Sequence, residues 1–113
     1  MAKFLVSADY RTTGAAGVLK EGGSARRAAA KQAIESLGGK MEAFYFAYGH
    51  VDAYLLCDMP DAISAIALSL AVNASGAVVS HLTPLITPEE VDAAAKKAVS
   101  YRAPGATAGK GKK

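Results

Sequence analysis

Apolar and polar residues alternate along the first segment of the chain, residues 3–10. Every second side chain in this segment is apolar, and the positions between them carry a mixture of charged, polar and apolar groups. The apolar set is Phe4, Val6, Ala8 and Tyr10. A repeat of two residues is the spacing of a β-strand with one buried face. The pattern therefore predicts the first strand over residues 3–10.

Two helix-forming segments follow, and pairs of glycines set their limits. Residues 15–21 are long enough for two helical turns, and the glycines at 22–23 interrupt them. Ser24 then precedes an alanine-rich segment that runs to the glycines at 38–39. Serine is a preferred N-cap and glycine a preferred stop signal. The pattern predicts a short helix, a break, and a longer helix over residues 25–37 with Ser24 as its N-cap.

Two apolar segments, residues 40–48 and 51–58, are separated by Gly49 and His50. A two-residue connection with glycine first is typical of a type II′ hairpin turn, so these segments are predicted to pair as antiparallel strands. Both carry apolar or aromatic side chains on each of their faces, whereas a strand with one solvated face alternates. We therefore expect the sheet to be covered on both faces.

The second half of the chain repeats the order of helix and strand. Residues 60–72 begin with a proline and an aspartate and predict a helix, and residues 77–86 predict a fourth strand. Thr87, followed by proline and two glutamates, is typical of an N-cap and predicts a short helix over 88–99. The order β-α-β-β-α-β plus a C-terminal helix predicts an α+β, ferredoxin-like fold with a four-stranded antiparallel sheet and both main helices on one face.

Such a fold leaves one face of the sheet uncovered, yet the strands are apolar on both sides. A second copy laid on that face would bury the apolar surface and remove a large exposed patch. We expect a homo-oligomer built on a two-fold dimer. The alternative is that the predicted C-terminal helix, residues 88–99, folds back over the open face.

Composition indicates one folded domain and excludes several classes of protein. The chain has 113 residues, of which 51% are hydrophobic and 20% charged. One cysteine excludes an internal disulfide, and two histidines offer no zinc-ligand spacing, so we expect neither a metal nor a cofactor. No apolar run approaches the roughly 20 residues that cross a bilayer, and the N-terminus lacks the core of a secretory signal. We expect a soluble, cytoplasmic protein without membrane insertion.

The net charge of +3 arises at the C-terminal end. Four of the thirteen basic residues, and no acid, lie after residue 100: Arg102, Lys110, Lys112 and Lys113. Nine basic residues remain against ten acidic ones in residues 1–100, a net charge of about −1. We expect one domain over residues 1–100 and a flexible basic tail over 101–113, without a surface for specific nucleic-acid binding. Weak electrostatic docking of the tail on an acidic surface is the alternative.

Four segments together resemble the GYD domain family. They are Leu19-Lys20-Glu21-Gly22-Gly23-Ser24-Ala25-Arg26-Arg27, Gly49-His50-Val51-Asp52, Leu68-Ser69-Leu70-Ala71-Val72-Asn73-Ala74-Ser75-Gly76 and Ile86-Thr87-Pro88-Glu89-Glu90. The resemblance covers about residues 1–102. It implies a ferredoxin-like fold related to the dimeric α/β barrels, in small bacterial or archaeal proteins, and assigns no biochemical role. Val51 stands where the family has the tyrosine of its name, whereas Gly49 and Asp52 match.

The glycine-rich turn before the longer helix is a candidate anion site. The candidate ligand-binding residues here are Lys20, Gly22, Gly23, Ser24, Arg26 and Arg27. Free backbone N–H groups, the positive end of a helix dipole and two guanidinium groups together can bind a carboxylate or phosphate. The alternative is that the glycines only reverse the chain, and that the arginines are solvated or pair with Glu21 and Glu35.

Three further polar residues are candidates for a site. His50 and Asp52 could form an acid–base pair on one side of a strand, although a histidine in a turn is usually only exposed. An aspartate at the start of an apolar strand needs a partner such as Lys20 or Arg26 if it is buried, which favours a structural ion pair. Asn73 is interpreted as a C-terminal helix cap, with ligand binding as the alternative.

The remaining candidates are explained equally well by structure. Cys57 lies in an apolar segment and is expected to be buried rather than nucleophilic. His81 shares the strand repeat of Val79 and Thr83, which favours a structural histidine. Four tyrosines could line a small apolar pocket between helices and sheet, or could simply be core aromatics: Tyr10, Tyr45, Tyr48 and Tyr54.

Three functions are compatible with these patterns. The first is a homo-oligomeric ligand-binding or regulatory module for a small anionic or aromatic molecule. The second is a cofactor-independent isomerase or oxygenase of the dimeric α/β-barrel type, which requires a closed pocket containing His50, Asp52 or His81 beside tyrosines. The third is a structural assembly protein whose sheet edges pair outward.

Overall fold

Four strands and four helices follow one another in the computed structural model, which describes residues 1–105. The elements are β1 (Ala2–Tyr10), α1 (Thr12–Glu21), α2 (Gly23–Ser36), β2 (Lys40–Phe46), β3 (Ala53–Met59), α3 (Ala62–Ala74), β4 (Val78–Leu85) and α4 (Pro88–Ala95). The α+β, ferredoxin-like fold expected from the sequence is confirmed. Of the expected basic tail, residues 106–113 lie outside the described part of the chain.

The strands form one antiparallel sheet in the order β2-β3-β1-β4. Helix α2 packs on β2 and helix α3 packs on β4, so the two helices lie over opposite edges of the same face. The first and last strands, β1 and β4, are neighbours in the sheet. They pair over eight positions, from Lys3 opposite Leu85 to Tyr10 opposite Val78. This order is that of a split β-α-β fold.

One hydrophobic cluster joins the sheet to both helices. Its buried members are Phe4, Val6, Ile34, Cys57, Met59, Ala65 and Leu68. Burial of a large apolar side chain stabilises a folded protein by roughly 1.5–3 kcal/mol. The alternation predicted for β1 is confirmed, because Phe4 and Val6 are buried and Leu5 between them is not.

Gly22 separates α1 from α2. Its φ of +89° lies in a region that L side chains rarely adopt, and its N–H donates to the carbonyl of Val18 at 2.7 Å. Gly22 is therefore the residue that ends one helix and caps the next. The prediction that Ser24 is the N-cap was wrong, because α2 already begins at Gly23. Helix α1 is also longer than predicted, since it begins at Thr12.

The connection between β2 and β3 differs from the predicted hairpin turn. It spans residues 47–52 instead of the two residues Gly49 and His50. The N–H of Ala47 donates to the carbonyl of Asp52 at 2.8 Å and closes this wider loop. Asp52, the last residue of this loop, also bonds to the end of β1, as described below.

The boundaries of the last two helices follow their caps. The carboxylate of Asp61 accepts a hydrogen bond from the N–H of Ser64 at 2.7 Å, and this starts α3. Its C-cap is Ser75, so the interpretation of Asn73 as the cap was wrong. Thr87 and Glu90 form the expected capping box of α4, which ends at Ala95 rather than near residue 99.

The C-terminal segment does not cover the sheet. Every residue of 86–105 is exposed, so the alternative in which the last helix folds back over the open face was wrong. That face carries Leu5 and Leu56 at its centre, and Tyr45 and Tyr54 lie directly opposite each other on β2 and β3. Tyr45 is 71% exposed and Tyr54 is 39% exposed. An aromatic and apolar surface therefore remains uncovered within the described residues.

Charges occupy one end of the open face. The Lys3 ammonium pairs with Asp58 at 3.1 Å and with Glu42. Hydrogen bonds to Glu42 and then to Asp58 raise the pKa of Lys3 above its ordinary value. These charges satisfy one another within one chain and leave the centre of the face neutral.

Candidate functional site

A cavity of about 120 Å³ lies between the helices and the sheet. Strand residues such as Val6, Leu55 and Leu82 form its floor, and α2 and α3 form its walls. The helices can stand apart because they pack over opposite edges of the sheet. The cavity is only partly enclosed by the protein.

The cavity exists because α2 turns small side chains toward the sheet. Ala29, Ala30 and Ala33 line it, and they share one helix face with Arg26 because residues three and four apart are neighbours on a helix. Methyl groups do not fill the distance to the strands. The sequence contains these alanines, but alanine is also the strongest helix former, so the segment indicates a helix and does not indicate a space beside it.

Among residues 1–105, Arg26 is the one charged residue that lines the cavity. It is half-buried, and it also lines the adjoining groove between α1, α2 and α3 together with Glu21. Within residues 1–105 none of the side-chain ion pairs includes Arg26. Glu35, which the sequence offered as a partner of the arginines, pairs with Lys31 at 2.7 Å. A guanidinium group stays charged at any ordinary pH. The cavity wall therefore holds a positive charge that no carboxylate of the described residues neutralises by direct pairing.

Tyr10 extends the floor of the cavity at the end of β1. Its ring lies 6.2 Å from the ring of Phe46, which in turn packs edge-on against Phe44 at 5.1 Å. Its backbone is fixed by Asp52, whose carboxylate accepts a hydrogen bond from the N–H of Tyr10 at 2.8 Å. Asp52 thus sets the position of a residue of the cavity without lining the cavity itself.

A hydrogen-bonded cluster links the α3 wall to β4. Asn73 Oδ1 accepts from the N–H of Ser80 at 2.7 Å and from its hydroxyl at 3.0 Å. The hydroxyl groups of Ser69 and Ser80 lie 3.2 Å apart. Both serines line the cavity, whereas Asn73 lies behind them. The sequence analysis missed both serines, because hydroxyl groups without a fixed motif give no signal until the fold brings them together.

The residues of the expected anion site do not converge on one point. Arg26 lines the cavity, whereas Arg27 lines a separate surface depression of about 250 Å³ with Ser24 and Phe46. Consecutive residues on a helix point about 100° apart, since a turn holds 3.6 residues. Gly23 brings the helix close to Phe46, because a Cβ at Gly23 would lie 2.9 Å from Cε2 of that ring. Lys20 is exposed on α1.

The residues considered for catalysis lie outside the cavity. His50 is exposed in the connection between β2 and β3, and Asp52 is bonded to Tyr10 N–H instead of pairing with Lys20 or Arg26 within the described residues. His81 lies opposite Ser7 on the open face and is exposed, so burial does not support its interpretation as a structural histidine. The pocket that the enzyme hypothesis requires is not formed by these three residues.

Of the four tyrosines, Tyr10 lines the cavity. Tyr45 and Tyr54 lie on the open face and Tyr48 is fully exposed, so neither alternative, a pocket shared by all four or four core aromatics, is correct. Cys57 is buried as expected, and its burial raises the pKa of its thiol. A thiol held in its neutral form inside the core acts as a small apolar side chain.

In residues 1–105 no group of three or more histidine, cysteine or acidic side chains is placed to bind a metal ion. None of the helices in the same range has the length and hydropathy that a bilayer span requires.

Fold and site together define a small α+β domain with a ferredoxin-like sheet and a cavity beneath its helices. The model of the GYD domain family matches residues 4–95, and the chain belongs to this family. The resemblance noted in the sequence is thereby confirmed. Comparisons with curated proteins and with solved structures found no match.

Proposed function

We propose that this GYD-domain protein is a ligand-binding module and that the cavity between α2 and α3 is its binding site. The observation that carries the proposal is an apolar cavity of about 120 Å³ with a single guanidinium group in its wall. Apolar cavities of about 150 Å³ in protein cores take up benzene. The expected ligand is a molecule of about one ring in size with one negative charge.

Arg26 supports the choice of an anionic ligand. The burial of an unpaired charge is costly, and an arriving carboxylate would offset this cost through paired hydrogen bonds to the guanidinium group. The first turn of α2 adds to the attraction, because Gly22 provides no side-chain cap and the backbone dipole is positive there.

The experiment is a calorimetric titration with benzoate. Wild-type protein should bind it, and Arg26→Gln should weaken binding about 10- to 100-fold, because charge-assisted hydrogen bonds contribute about 1.5–3 kcal/mol. Arg27→Gln is the matched control, since Arg27 lines the outer depression. Absence of benzoate binding to the wild type would refute the proposal. An equal loss in both variants would assign the effect to net charge and count against a site in the cavity.

We further propose that the working form is a homodimer that pairs the open faces of two sheets. The centre of the face is neutral and aromatic, Lys3 at its end is paired with Asp58 and Glu42 of the same chain, and the C-terminal segment leaves the face uncovered. A two-fold axis brings the same patch of both copies together. Burial of that patch contributes about 25 cal/mol for each Å² of apolar surface removed from water, before the costs of association.

A further inference from the structure

The hydrogen bonds around Ser80 fix the position of one hydroxyl proton. Ser80 is 5% exposed, and both its N–H and its hydroxyl oxygen lie within hydrogen-bond distance of Asn73 Oδ1, at 2.7 and 3.0 Å. An amide oxygen only accepts hydrogen bonds. The proton between Ser80 Oγ and Asn73 Oδ1 must therefore come from Ser80.

The direction of the next bond follows. The hydroxyl groups of Ser69 and Ser80 are 3.2 Å apart, so one of them donates to the other. Because Ser80 has already donated its only hydroxyl proton to Asn73, Ser69 is the donor in this pair. The remaining lone pairs of Ser69 Oγ can only accept. The α3 wall of the cavity thus presents a hydrogen-bond acceptor.

The two walls of the cavity therefore differ in chemistry. The α2 wall carries the positive charge of Arg26, and the α3 wall carries the acceptor of Ser69. Between them the lining is apolar, with Leu68 and Val72 on one side and alanines on the other. Arg26 also lines the adjoining groove, which places it at the border of the cavity.

From this arrangement we infer that the ligand is a hydroxylated aromatic carboxylate with a single ring. The carboxylate meets Arg26, the ring fills the apolar space, and a ring hydroxyl donates to Ser69 Oγ. The inference rests on the proposed function, since it assigns the ligand class of the same cavity. It excludes ligands that present only acceptors to the α3 wall, because two acceptors that face each other without a proton repel.

The test compares affinities for benzoate, for 3- and 4-hydroxybenzoate, and for the corresponding methoxybenzoates by calorimetry. One of the two hydroxybenzoates should bind about 5- to 10-fold more tightly than benzoate, the gain expected of one neutral hydrogen bond. The methoxy counterpart should lose this gain, because an ether oxygen cannot donate. In Ser69→Ala the preference for the hydroxyl compound over benzoate should disappear, because the acceptor is removed.

Ser36→Ala is the matched control, because it removes a hydroxyl from the exposed end of α2. It should keep the full preference. If benzoate binds but no hydroxybenzoate is preferred, the ligand class is wrong and the proposed function stands. If benzoate itself does not bind to the wild-type protein, the proposed function fails. The comparison of hydroxybenzoate, methoxybenzoate and benzoate affinities in the wild-type protein tests the ligand class even if Ser69→Ala folds poorly.

Discussion

The carboxylate of Asp52 accepts a hydrogen bond of 2.8 Å from the backbone N–H of Tyr10, 42 residues earlier in the chain. The N–H of Asp52 in turn donates to the carbonyl of Ala8 at 3.1 Å. Asp52 therefore bonds to β1 just beyond the end of β3, through its backbone N–H to Ala8 and through its side chain to Tyr10. The partner of Asp52 is thus a backbone N–H rather than Lys20 or Arg26, which the sequence had suggested.

Asp52→Ala should destabilise the fold by about 1–3 kcal/mol, because the half-buried N–H of Tyr10 loses its acceptor. Asp52→Asn keeps a carbonyl oxygen at the same position and should cost less. Urea unfolding monitored by circular dichroism measures both. If the alanine variant is as stable as the wild type, the contact does not hold the end of β1.

Asn73→Ala should also lower the free energy of unfolding by about 1–3 kcal/mol, since two donors of the buried Ser80 lose their acceptor. Gln32→Ala, on the exposed surface of α2, is the control and should change stability by less than about 0.5 kcal/mol. Chemical denaturation separates the two variants. Equal effects of both substitutions would contradict a bridging role for Asn73.

Tyr54→Lys should convert the proposed dimer to a monomer, because it places a charge at the centre of the open face next to Leu56. The control is Ile66→Lys, which changes an exposed apolar residue on α3 in the same way. Size-exclusion chromatography with light scattering should give twice the chain mass for the wild type and for the control. A wild-type protein that is monomeric at all concentrations would refute the dimer.

Stability should fall in acid partly through Asp61. The N–H of Ser64 holds the pKa of this carboxyl below its ordinary value of 3.8. A lowered pKa in the folded state means that the carboxylate stabilises the fold above about pH 4, and that this contribution is lost as the pH falls through the folded pKa. Asp61→Asn retains a capping oxygen but does not titrate.

Urea unfolding of both proteins from neutral pH to about pH 2 is the measurement for Asp61. The difference in stability between wild type and Asp61→Asn should change across this range and level off at the acidic end. Curves that stay parallel throughout would show that the cap contributes nothing that depends on its charge.

The sequence predicted the fold well because local signals agreed with the global pattern. The repeat of two in β1, the capping box at Thr87 and Glu90, and the burial of Cys57 were all readable along the chain. The errors arose where a distant contact outweighed a local preference. Asn73 resembles a cap by position, but its amide is used by Ser80 on the neighbouring strand.

The site was harder to predict than the fold. Arg26 and Arg27 are equivalent in the sequence, and only the helix geometry directs one to the cavity and the other to the outer depression. Ser69 gave no signal in the sequence. Its role as a hydrogen-bond acceptor arises only because Ser80 donates its hydroxyl proton to Asn73, which leaves Ser69 to donate to Ser80. A cavity is the volume that several helices and strands together leave empty, and no single segment of the sequence specifies it.

The central claim is that the cavity between α2 and α3 binds a small aromatic anion. Amide chemical shifts of isotope-labelled protein, recorded during a titration with benzoate, test it most directly. The account predicts saturable shifts at Ala29, Ala30 and Ser69, with Tyr45 on the open face unmoved. Saturable shifts confined to the open face or to the depression around Arg27, or no shifts at all, would contradict it.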